Sequence, residues 1–560
     1  MMGDRKKRYC YMKYCSKIIF KILTFVIIGI FIFAILQKIF IPKRFPYDKS
    51  NDTGKLRYFI GEEENSVDLL VLGTSHSSRG ILPMEMYELY GIKSYNLSTS
   101  VQPIEVTYYI LQEAIKTQNP NVVIWDVSSL YINYADTPHW KMAMDEMKIG
   151  KNKERFIEEY LKSFYDTGET MADLLFPLLG YHTRWKELVE QDFKLIKNNK
   201  RYFSKGGQIN STVMGGIPVD DMNAIAEGLM QNTVKEVREY NNQVFNEWYE
   251  ENILYSINIV DSNREWVIKI KELCDANNIQ FLAIKVPNAY MPQWYASAWT
   301  EEKYKKTKIF CDEIGITYYD MLYDIDLNID FEKDSYDSGM HLNLYGAQKV
   351  SGHLGKYLKE HYQLSEERNK QWDKDLVSYQ KVRELALLEL EQDFSQYIDK
   401  LANEYKDKTI FIAASDDMSQ GLNETELSAL RSLGLQEDYS KAFQRSYIAV
   451  IEDGQVKYEA LSNRPLDYSG KCYKTEKKYE LHSSGWWTAW GASIKLDGNE
   501  YAVNSRGLNI VVYDDERGLV LDSVGFDTCM EYHTPIRNNE MINNLEEEFE
   551  YYIMEVEDNG

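Results

Sequence analysis

The sequence predicts an α/β protein with a membrane anchor at its amino end and a β-rich domain at its carboxyl end. Three patterns indicate this architecture. A long apolar stretch lies near the start, apolar runs then alternate with helix-forming segments, and short strand-like runs separated by Asp-Gly turns follow in the last third. At 560 residues the chain is too long for one hydrophobic core, so several domains are expected.

The composition excludes some classes of function. The formal net charge is −23, and nucleic-acid binding needs clustered Lys and Arg, so nucleic acid is not an expected partner. The six cysteines form neither a dense disulfide framework nor a C-x-x-C metal pattern. Two alternatives stand for Cys472 and Cys529: a disulfide bridge between them, or two buried free thiols.

The anchor is the apolar stretch 18–41, which exceeds the roughly 20 residues that span a bilayer core. Residues 1–17 carry the larger basic cluster and should stay in the cytoplasm, which puts everything after about residue 42 outside the cell. A cleaved signal peptide is the alternative. The apolar stretch is long for one, and no small-x-small cleavage site follows it.

A strand, a tight turn, a serine and a helix follow each other just after the anchor. Leu69 to Leu72 is an apolar run, Gly73 breaks it, Ser75 comes next, and 84–90 favours a helix. An α/β sheet presents a nucleophile in this way at the carboxyl ends of its strands. Because G-x-S turns are common, an ordinary strand-to-loop turn is the alternative.

The segments around this turn predict a parallel sheet with helices on its faces. A polar stalk is expected at 42–66, and a helical insert with a Gly-rich piece, interpreted as a lid, at about 135–260. The further strands are predicted at 93–97, 121–126, 280–286 and 316–319, and the helices between them at 104–117, 261–277 and 303–314.

A second block rich in polar residues runs from Asp334 to Lys349. It places His341 in a loop just before a helix predicted at 347–362. From the end of a sheet, this histidine could reach Ser75 as its base, and an aspartate just before it could orient the imidazole. The alternative is a polar residue at the start of a helix, satisfied by the backbone.

The two blocks, Gly73-Thr-Ser75 and His341-Leu-Asn-x-x-Gly-Ala347, together resemble the SGNH/GDSL hydrolase superfamily. The membrane-anchored bacterial branch, with its D-alanyl-transfer and alginate O-acetylation proteins, is the most similar. The resemblance covers about residues 67–362. It implies a flavodoxin-like three-layer fold and a Ser-His-Asp triad that acts on esters.

The resemblance assigns the catalytic roles to Ser75, His341 and Asp337. The family usually places its aspartate three residues before the histidine, where this chain has Ser338, so Asp334 is the fallback acid. The backbone amides of Ser75 and Ser98 are the expected oxyanion donors.

Two departures weaken this oxyanion hole. The family's second block carries a glycine, which the loop 96–100 lacks, and its third block carries an asparagine, which 126–129 lacks. One missing donor would cost about 10²–10³ in rate.

Several residues are predicted to bind substrate: His76, Asn96, Arg184, Trp486 and Trp487. His76 is interpreted as a substrate-side or packing residue rather than the base, because it is adjacent to Ser75. Arg184 lies between aromatic residues and could grip a carboxylate or sugar, with a packed helix surface as the alternative.

The carboxyl half begins with a polar helical spacer at 363–404, followed by a domain at 405–535 and an acidic tail at 536–560. The runs 506–514 and 522–528 resemble the ILEI/PANDER-like domain over about 405–532. This resemblance implies a compact β-sandwich-like module that binds carbohydrate without catalysis. Trp486, Trp487 and Trp490 could form a stacking platform or pack in the core.

Together these features predict a membrane-anchored extracellular serine esterase or acyltransferase. It would remove or add acyl groups, most simply acetyl, on a cell-surface polysaccharide. No metal or organic cofactor is expected, and a membrane-bound O-acyltransferase is a candidate partner. The alternative is a non-catalytic glycan-binding surface protein with a degenerate hydrolase fold.

Overall fold

The computed structural model describes residues 2–42, 54–132, 137–193, 203–210, 258–288, 301–331, 333–336 and 339–537. The chain divides into two units. The first comprises Met1–Gln208, Gly216–Leu342 and Gly346–Leu376, and the second comprises Ile209–Gly215, Asn343–Tyr345 and Val377–Gly560.

The amino end is one long helix, α1 (Met2–Phe40). Its stretch Ser16–Phe40 spans 25 residues with a mean hydropathy of 2.9, and none of it is buried inside the protein. Length and composition therefore suit a membrane span, a property that signal sequences share.

The first unit is built on a parallel five-stranded sheet in the order β2-β1-β3-β4-β5. Every residue of β1, β2 and β3 is buried, as expected for a sheet covered on both faces. The strands are β1 (Leu69–Leu72), β2 (Ser94–Asn96), β3 (Val122–Asp126), β4 (Gln280–Lys285) and β5 (Thr317–Asp320), and a separate antiparallel ribbon joins β6 (Ser335–Tyr336) to β7 (His341–Leu342).

Helices cover this sheet on both sides. The helices of the first unit after α1 are α2 (Lys55–Phe59), α3 (Ser75–Gly80), α4 (Pro83–Tyr90), α5 (Ile104–Ala114), α6 (Thr137–Glu146), α7 (Lys151–Ser163), α8 (Met171–Leu175), α9 (Pro177–Gly180), α10 (Glu190–Phe193), α11 (Asp261–Ala276), α12 (Glu301–Glu313) and α13 (Leu344–His361). The strand order reverses at β1, so right-handed crossovers place α4 and α5 on opposite faces. On one face α5 packs against α11 through Tyr108 and Trp266, whose ring centroids are 5.3 Å apart. On the other, the Leu82 amide that begins α4 donates to Ser351 Oγ of α13 over 2.8 Å.

One prediction for the first unit needs correction, and a second is described only in part. The polar stalk is wrong from Gly54 onward, because α2 buries Leu56 and Phe59 and its Leu56 amide donates to Glu146 over 3.0 Å. Within the predicted insert, residues 137–193 fold as helices α6 to α10, whereas 211–257 lie outside the described residues.

The second unit is a ten-stranded sheet with helices on one side. Its path runs β14-β13-β12-β8-β15-β16-β17, while β9 pairs with β8 and β10, and β11 pairs with β12. The elements are α14 (Lys370–Glu389), α15 (Phe394–Glu404), α16 (Glu424–Ser432), β8 (Thr409–Asp416), β9 (Ser446–Glu452), β10 (Gln455–Ser462), β11 (Leu466–Lys471), β12 (Lys478–Gly485), β13 (Gly491–Leu496), β14 (Asn499–Glu500), β15 (Gly507–Asp514), β16 (Leu519–Phe526) and β17 (Pro535–Arg537).

The predicted spacer is not one long helix. It breaks between α14 and α15, where Asp393 caps α15 by accepting from the Gln396 amide over 2.9 Å. Helix α15 then buries Tyr397 and Leu401 in the core beneath the sheet. The end of α14 and all of α15 are therefore part of the second unit rather than a connector, and α15 lies in its core.

The Asp-Gly turns of the second unit are confirmed. Asp453 and Gly454 have φ of 48° and 68°, and Asp497 and Gly498 have φ of 48° and 85°. Positive φ at both central residues is the signature of a type I′ hairpin turn. Cys472 and Cys529 are free thiols, so they form no bridge.

Candidate active site

The site begins at the turn after β1, which only glycine can make. Gly73 has φ of 146°, and a Cβ there would lie 2.6 Å from Cβ of Asp126 at the end of β3. The turn delivers Ser75 as the first residue of α3. Ser75 therefore lies at the carboxyl ends of the strands, next to the point where the strand order reverses, which is where open α/β sheets bind ligands.

His341 reaches this serine from the far end of the unit's sequence. Its Nε2 lies 2.7 Å from Ser75 Oγ, although 266 positions separate the two residues. When the hydroxyl donates to Nε2, the imidazole proton must lie on Nδ1. The serine hydroxyl and the imidazole therefore lie within proton-transfer distance, as a nucleophile and its base would.

The residues that follow His341 hold its loop in place. A Cβ on Gly346 would overlap the Asp334 carbonyl oxygen, so the helix that starts here can approach the loop only with glycine at this position. In addition, Asn343 Oδ1 accepts from the Tyr345 amide over 3.0 Å, which caps the start of α13. The positions of Asn343 and Gly346 in the predicted motif are thus explained by these two local contacts.

The His341 ring stacks with two other rings. The His76 ring stacks on it with centroids 5.2 Å apart, and the Tyr336 ring with centroids 5.8 Å apart. His76 Nδ1 lies 3.3 Å from Thr74 Oγ1. Burial lowers the pKa of His76 well below its ordinary value, and nearby positive charges lower it further, so His76 is neutral near pH 7.

The acid of the proposed triad is only partly described. Asp337 lies outside the described residues. The fallback, Asp334, accepts from Lys349 Nζ over 2.6 Å and from the Asp330 amide over 2.7 Å, and burial raises its pKa. These contacts give Asp334 a structural role, and the role of Asp337 stays a prediction.

The predicted substrate ligand Asn96 and the predicted oxyanion donor Ser98 are hydrogen-bonded to each other. Asn96 is fully buried, and its Nδ2 donates to the carbonyls of Ser77 and Ile81 over 2.8 and 2.9 Å. Its Oδ1 accepts from the Ser98 amide over 3.0 Å. Asn96 is therefore a structural residue rather than a substrate ligand, and the Ser98 amide already has an acceptor, so it does not fit the predicted oxyanion role.

The remaining predicted oxyanion donor is the Ser75 amide, which as the first residue of α3 has no intrahelical acceptor. The segment after β3, where an asparagine was expected, has a different use. Asp126 accepts from Thr74 Oγ1 over 2.9 Å and from Ser128 Oγ over 2.9 Å. It ties the end of β3 to the turn that carries Ser75.

Arg184 does not face the site. Its guanidinium donates to the Phe40 carbonyl over 2.7 Å and to Asp192 over 3.0 Å. The predicted role of Arg184 in substrate binding is therefore corrected to a structural contact with the end of α1.

Sequence reasoning missed two cations near the site. Arg79 lies one helical turn after Ser75, with its guanidinium 5.8 Å from the centre of the Tyr336 ring. The i, i+4 spacing from Ser75 on α3 was the signal that could have found it. Lys285 ends β4, is fully buried and donates to the Val286 carbonyl over 2.7 Å, and burial lowers its pKa.

The predicted tryptophan platform lies on the surface of the second unit. Trp486, Trp487 and Trp490 are 49%, 79% and 57% exposed, so core packing is excluded for them. They follow β12, whose outward face borders an open depression of about 360 Å³. The lining residues are Asp467, Tyr468, Ser469, Glu480, Leu481, His482, Ser493 and Lys495.

No family model and no curated protein matches the chain. Among the described residues, no group of three or more His, Cys, Asp or Glu side chains is placed to hold a metal ion.

Proposed function

We propose that the chain is a membrane-anchored serine esterase or O-acyltransferase of the SGNH type, acting on acyl groups of a cell-surface glycan. The observation that carries the proposal is the 2.7 Å contact between Ser75 Oγ and His341 Nε2. The strand order β2-β1-β3-β4-β5 adds support, because it is the order of flavodoxin-like sheets.

In the proposed reaction, Ser75 Oγ attacks the acyl carbonyl carbon while His341 Nε2 takes the hydroxyl proton. The tetrahedral intermediate then collapses, the ester C–O bond breaks, and His341 returns the proton to the leaving alcohol. An acyl-serine remains. In the second half, water or a sugar hydroxyl loses its proton to His341 and attacks the acyl carbonyl carbon. The bond from that carbon to Ser75 Oγ breaks, and His341 returns the proton to Ser75 Oγ. Asp337 would hold the Nδ1–H of the imidazole.

The glycan substrate and the exterior location are parts of the same proposal. The basic cluster in the first turns of α1, ahead of its apolar stretch, favours a cytoplasmic amino end, which would place the Ser75 site outside. The exposed tryptophans support a sugar-binding role for the second unit, as its resemblance to ILEI/PANDER-like domains implies. A membrane-bound O-acyltransferase that delivers the acyl group is the proposed partner for the transfer reaction.

Labelling with a serine-directed fluorophosphonate tests the nucleophile. We expect wild type to be labelled and Ser75→Ala not to be. Ser484→Ala is a matched control, because Ser484 Oγ also lies 2.8 Å from a histidine, His482, which in turn contacts Asp467 over 2.8 Å. Ser484 is only 3% exposed, so it should not react. Equal labelling of wild type and Ser75→Ala would contradict the proposal.

A glycan-binding protein without catalysis is the second candidate. The engaged Ser98 amide and the three exposed tryptophans favour it. It predicts that wild type binds an acetylated polysaccharide, is not labelled by the probe and releases no acetate, even when a membrane-bound acyltransferase is co-expressed. Release or transfer of acetate that depends on Ser75 would exclude it.

A further inference from the structure

A cluster of large apolar side chains is exposed between residues 179 and 193. The exposed fractions are 41% for Leu179, 64% for Trp185, 54% for Val189 and 57% for Phe193. Soluble surfaces rarely concentrate apolar side chains in this way unless another apolar phase covers them. In the parts of the chain that the structure describes, nothing buries these four side chains.

The same segment is bonded to the carboxyl end of α1. The Leu178 amide donates to Gln37 Oε1 over 2.7 Å, and Arg184 Nη1 donates to the Phe40 carbonyl over 2.7 Å. Asp192 accepts from the same guanidinium over 3.0 Å, which links α10 to this contact. The exposed cluster is therefore held next to the apolar helix.

The length of α1 sets the depth of this contact. The 25 residues Ser16–Phe40 rise about 37 Å at 1.5 Å per residue, whereas the hydrocarbon core of a bilayer is about 30 Å thick. The last turns of α1 must then reach the headgroup region. The ring of Phe33, about 10 Å before the end of the helix, packs against Phe176 with centroids 5.7 Å apart.

We infer that residues 176–193 form an interfacial shelf, which lies in the headgroup–acyl boundary of the bilayer that α1 crosses. Leu179, Trp185, Val189 and Phe193 insert into this boundary, where amphipathic aromatic rings are favoured. Lys186, whose Nζ lies 5.3 Å from the Trp185 ring, then meets the lipid phosphates. The inference rests on the proposal that α1 spans a membrane.

The shelf changes how the first unit is held. A unit joined to its anchor only by a flexible linker would tumble above the membrane, whereas docking of the shelf to both α1 and lipid keeps this unit at the membrane surface. Its substrate would then be a glycan or acyl donor presented close to the bilayer.

The test uses the full chain in lipid nanodiscs containing spin-labelled phospholipids. Cys10, Cys15 and Cys529 are replaced by serine, and a single cysteine carries an environment-sensitive fluorophore. The shelf positions are Trp185→Cys and Phe193→Cys, which give two independent readings. Tyr473→Cys, 82% exposed in the second unit, is the aqueous control, and Ile27→Cys is the control for the membrane core.

We expect a spin label near the headgroups to quench about half of the fluorescence at both shelf positions and little at position 473. Quenching at 185 and 193 no greater than at 473, with Ile27→Cys quenched by a deep spin label, would overturn the shelf and leave the anchor intact. Failure of the deep label to quench Ile27→Cys would instead overturn the anchor, and the shelf with it.

Discussion

At the scale of single residues, the proposed chemistry depends on the 2.7 Å contact between Ser75 Oγ and His341 Nε2. Each of these two residues lies in a short sequence motif with a local structural cause. The Ser98 amide was misassigned because Asn96, two residues earlier, takes it as a hydrogen-bond donor. Asx turns of this kind can be predicted from an asparagine in a strand-end loop, and here one competes with the oxyanion role.

The two histidines of the site should differ in their effect on activity. His341→Ala removes the group that contacts Ser75, so kcat/KM on a small acetyl ester should fall about 10²–10⁴-fold. His76 only stacks on His341, and His76→Ala should cost about tenfold or less. Steady-state kinetics with both variants checks this prediction. An equal loss of kcat/KM in the two variants would show that His341 is not the specific base for Ser75.

The turn glycine should matter for stability. Gly73→Ala introduces a Cβ at φ of 146° and 2.6 Å from Asp126, and the free energy of unfolding should fall by about 2–4 kcal/mol. Gly150→Ala is the control, because a Cβ there meets nothing within 4 Å. Chemical denaturation in detergent measures both. Similar stability of the two variants would contradict the role given to Gly73.

At the scale of elements, prediction succeeded where the burial pattern was strong. Strands β1, β3 and β4 are almost fully buried, so they are continuous apolar runs in the sequence. Strands β10 and β11 are half-exposed and carry no such pattern, which is why they were missed. Helix α2 falls within the predicted stalk. Its docking could not be predicted locally, because its partner Glu146 lies about 90 residues away in sequence.

The Gly-rich piece of the insert contributes a buried ion network. Lys205 Nζ contacts Glu62 over 2.9 Å and Asp375 over 2.6 Å, with Lys205 fully buried. Lys205→Ala would leave two carboxylates without their cation, so the free energy of unfolding should fall by about 3–5 kcal/mol.

Lys308→Ala is the control for this variant. Lys308 pairs with Asp312 on the exposed surface of α12, where ion pairs contribute little. Chemical denaturation should detect no change for Lys308→Ala. Equal stability of the Lys205 and Lys308 variants would show that the buried network does not hold the first unit together.

The tryptophans after β12 should contribute to glycan affinity but not to the reactivity of Ser75. Trp486→Ala combined with Trp487→Ala should weaken binding to an acetylated polysaccharide about three- to tenfold. Fluorophosphonate labelling should stay unchanged. Tyr473→Ala, which also removes a strongly exposed ring, serves as the control in a binding titration. Unchanged affinity in the double variant would exclude these tryptophans as a sugar platform.

At the scale of the whole molecule, composition and periodicity predicted the long apolar helix near the amino end, the parallel sheet and the β-rich carboxyl region. They could not predict that residues 176–193 contact the end of α1, because that contact depends on side-chain hydrogen bonds about 140 positions apart. Nor could the polar pattern of 363–404 show that α15 belongs to the core of the second unit. Local sequence patterns therefore predict the helices and strands, whereas their packing depends on contacts between residues that are distant in sequence.

The most direct test of the central proposal is to map which residue of the protein becomes acylated. The full chain in lipid is incubated with an activated acetyl ester, stopped with acid, digested and mapped by mass spectrometry. We predict one acetyl group on the peptide that contains Ser75 in wild type, and none on that peptide in His341→Ala. Acetylation of the Ser75 peptide to the same extent in wild type and His341→Ala, or no acetylated serine in either, would contradict a nucleophile activated by His341.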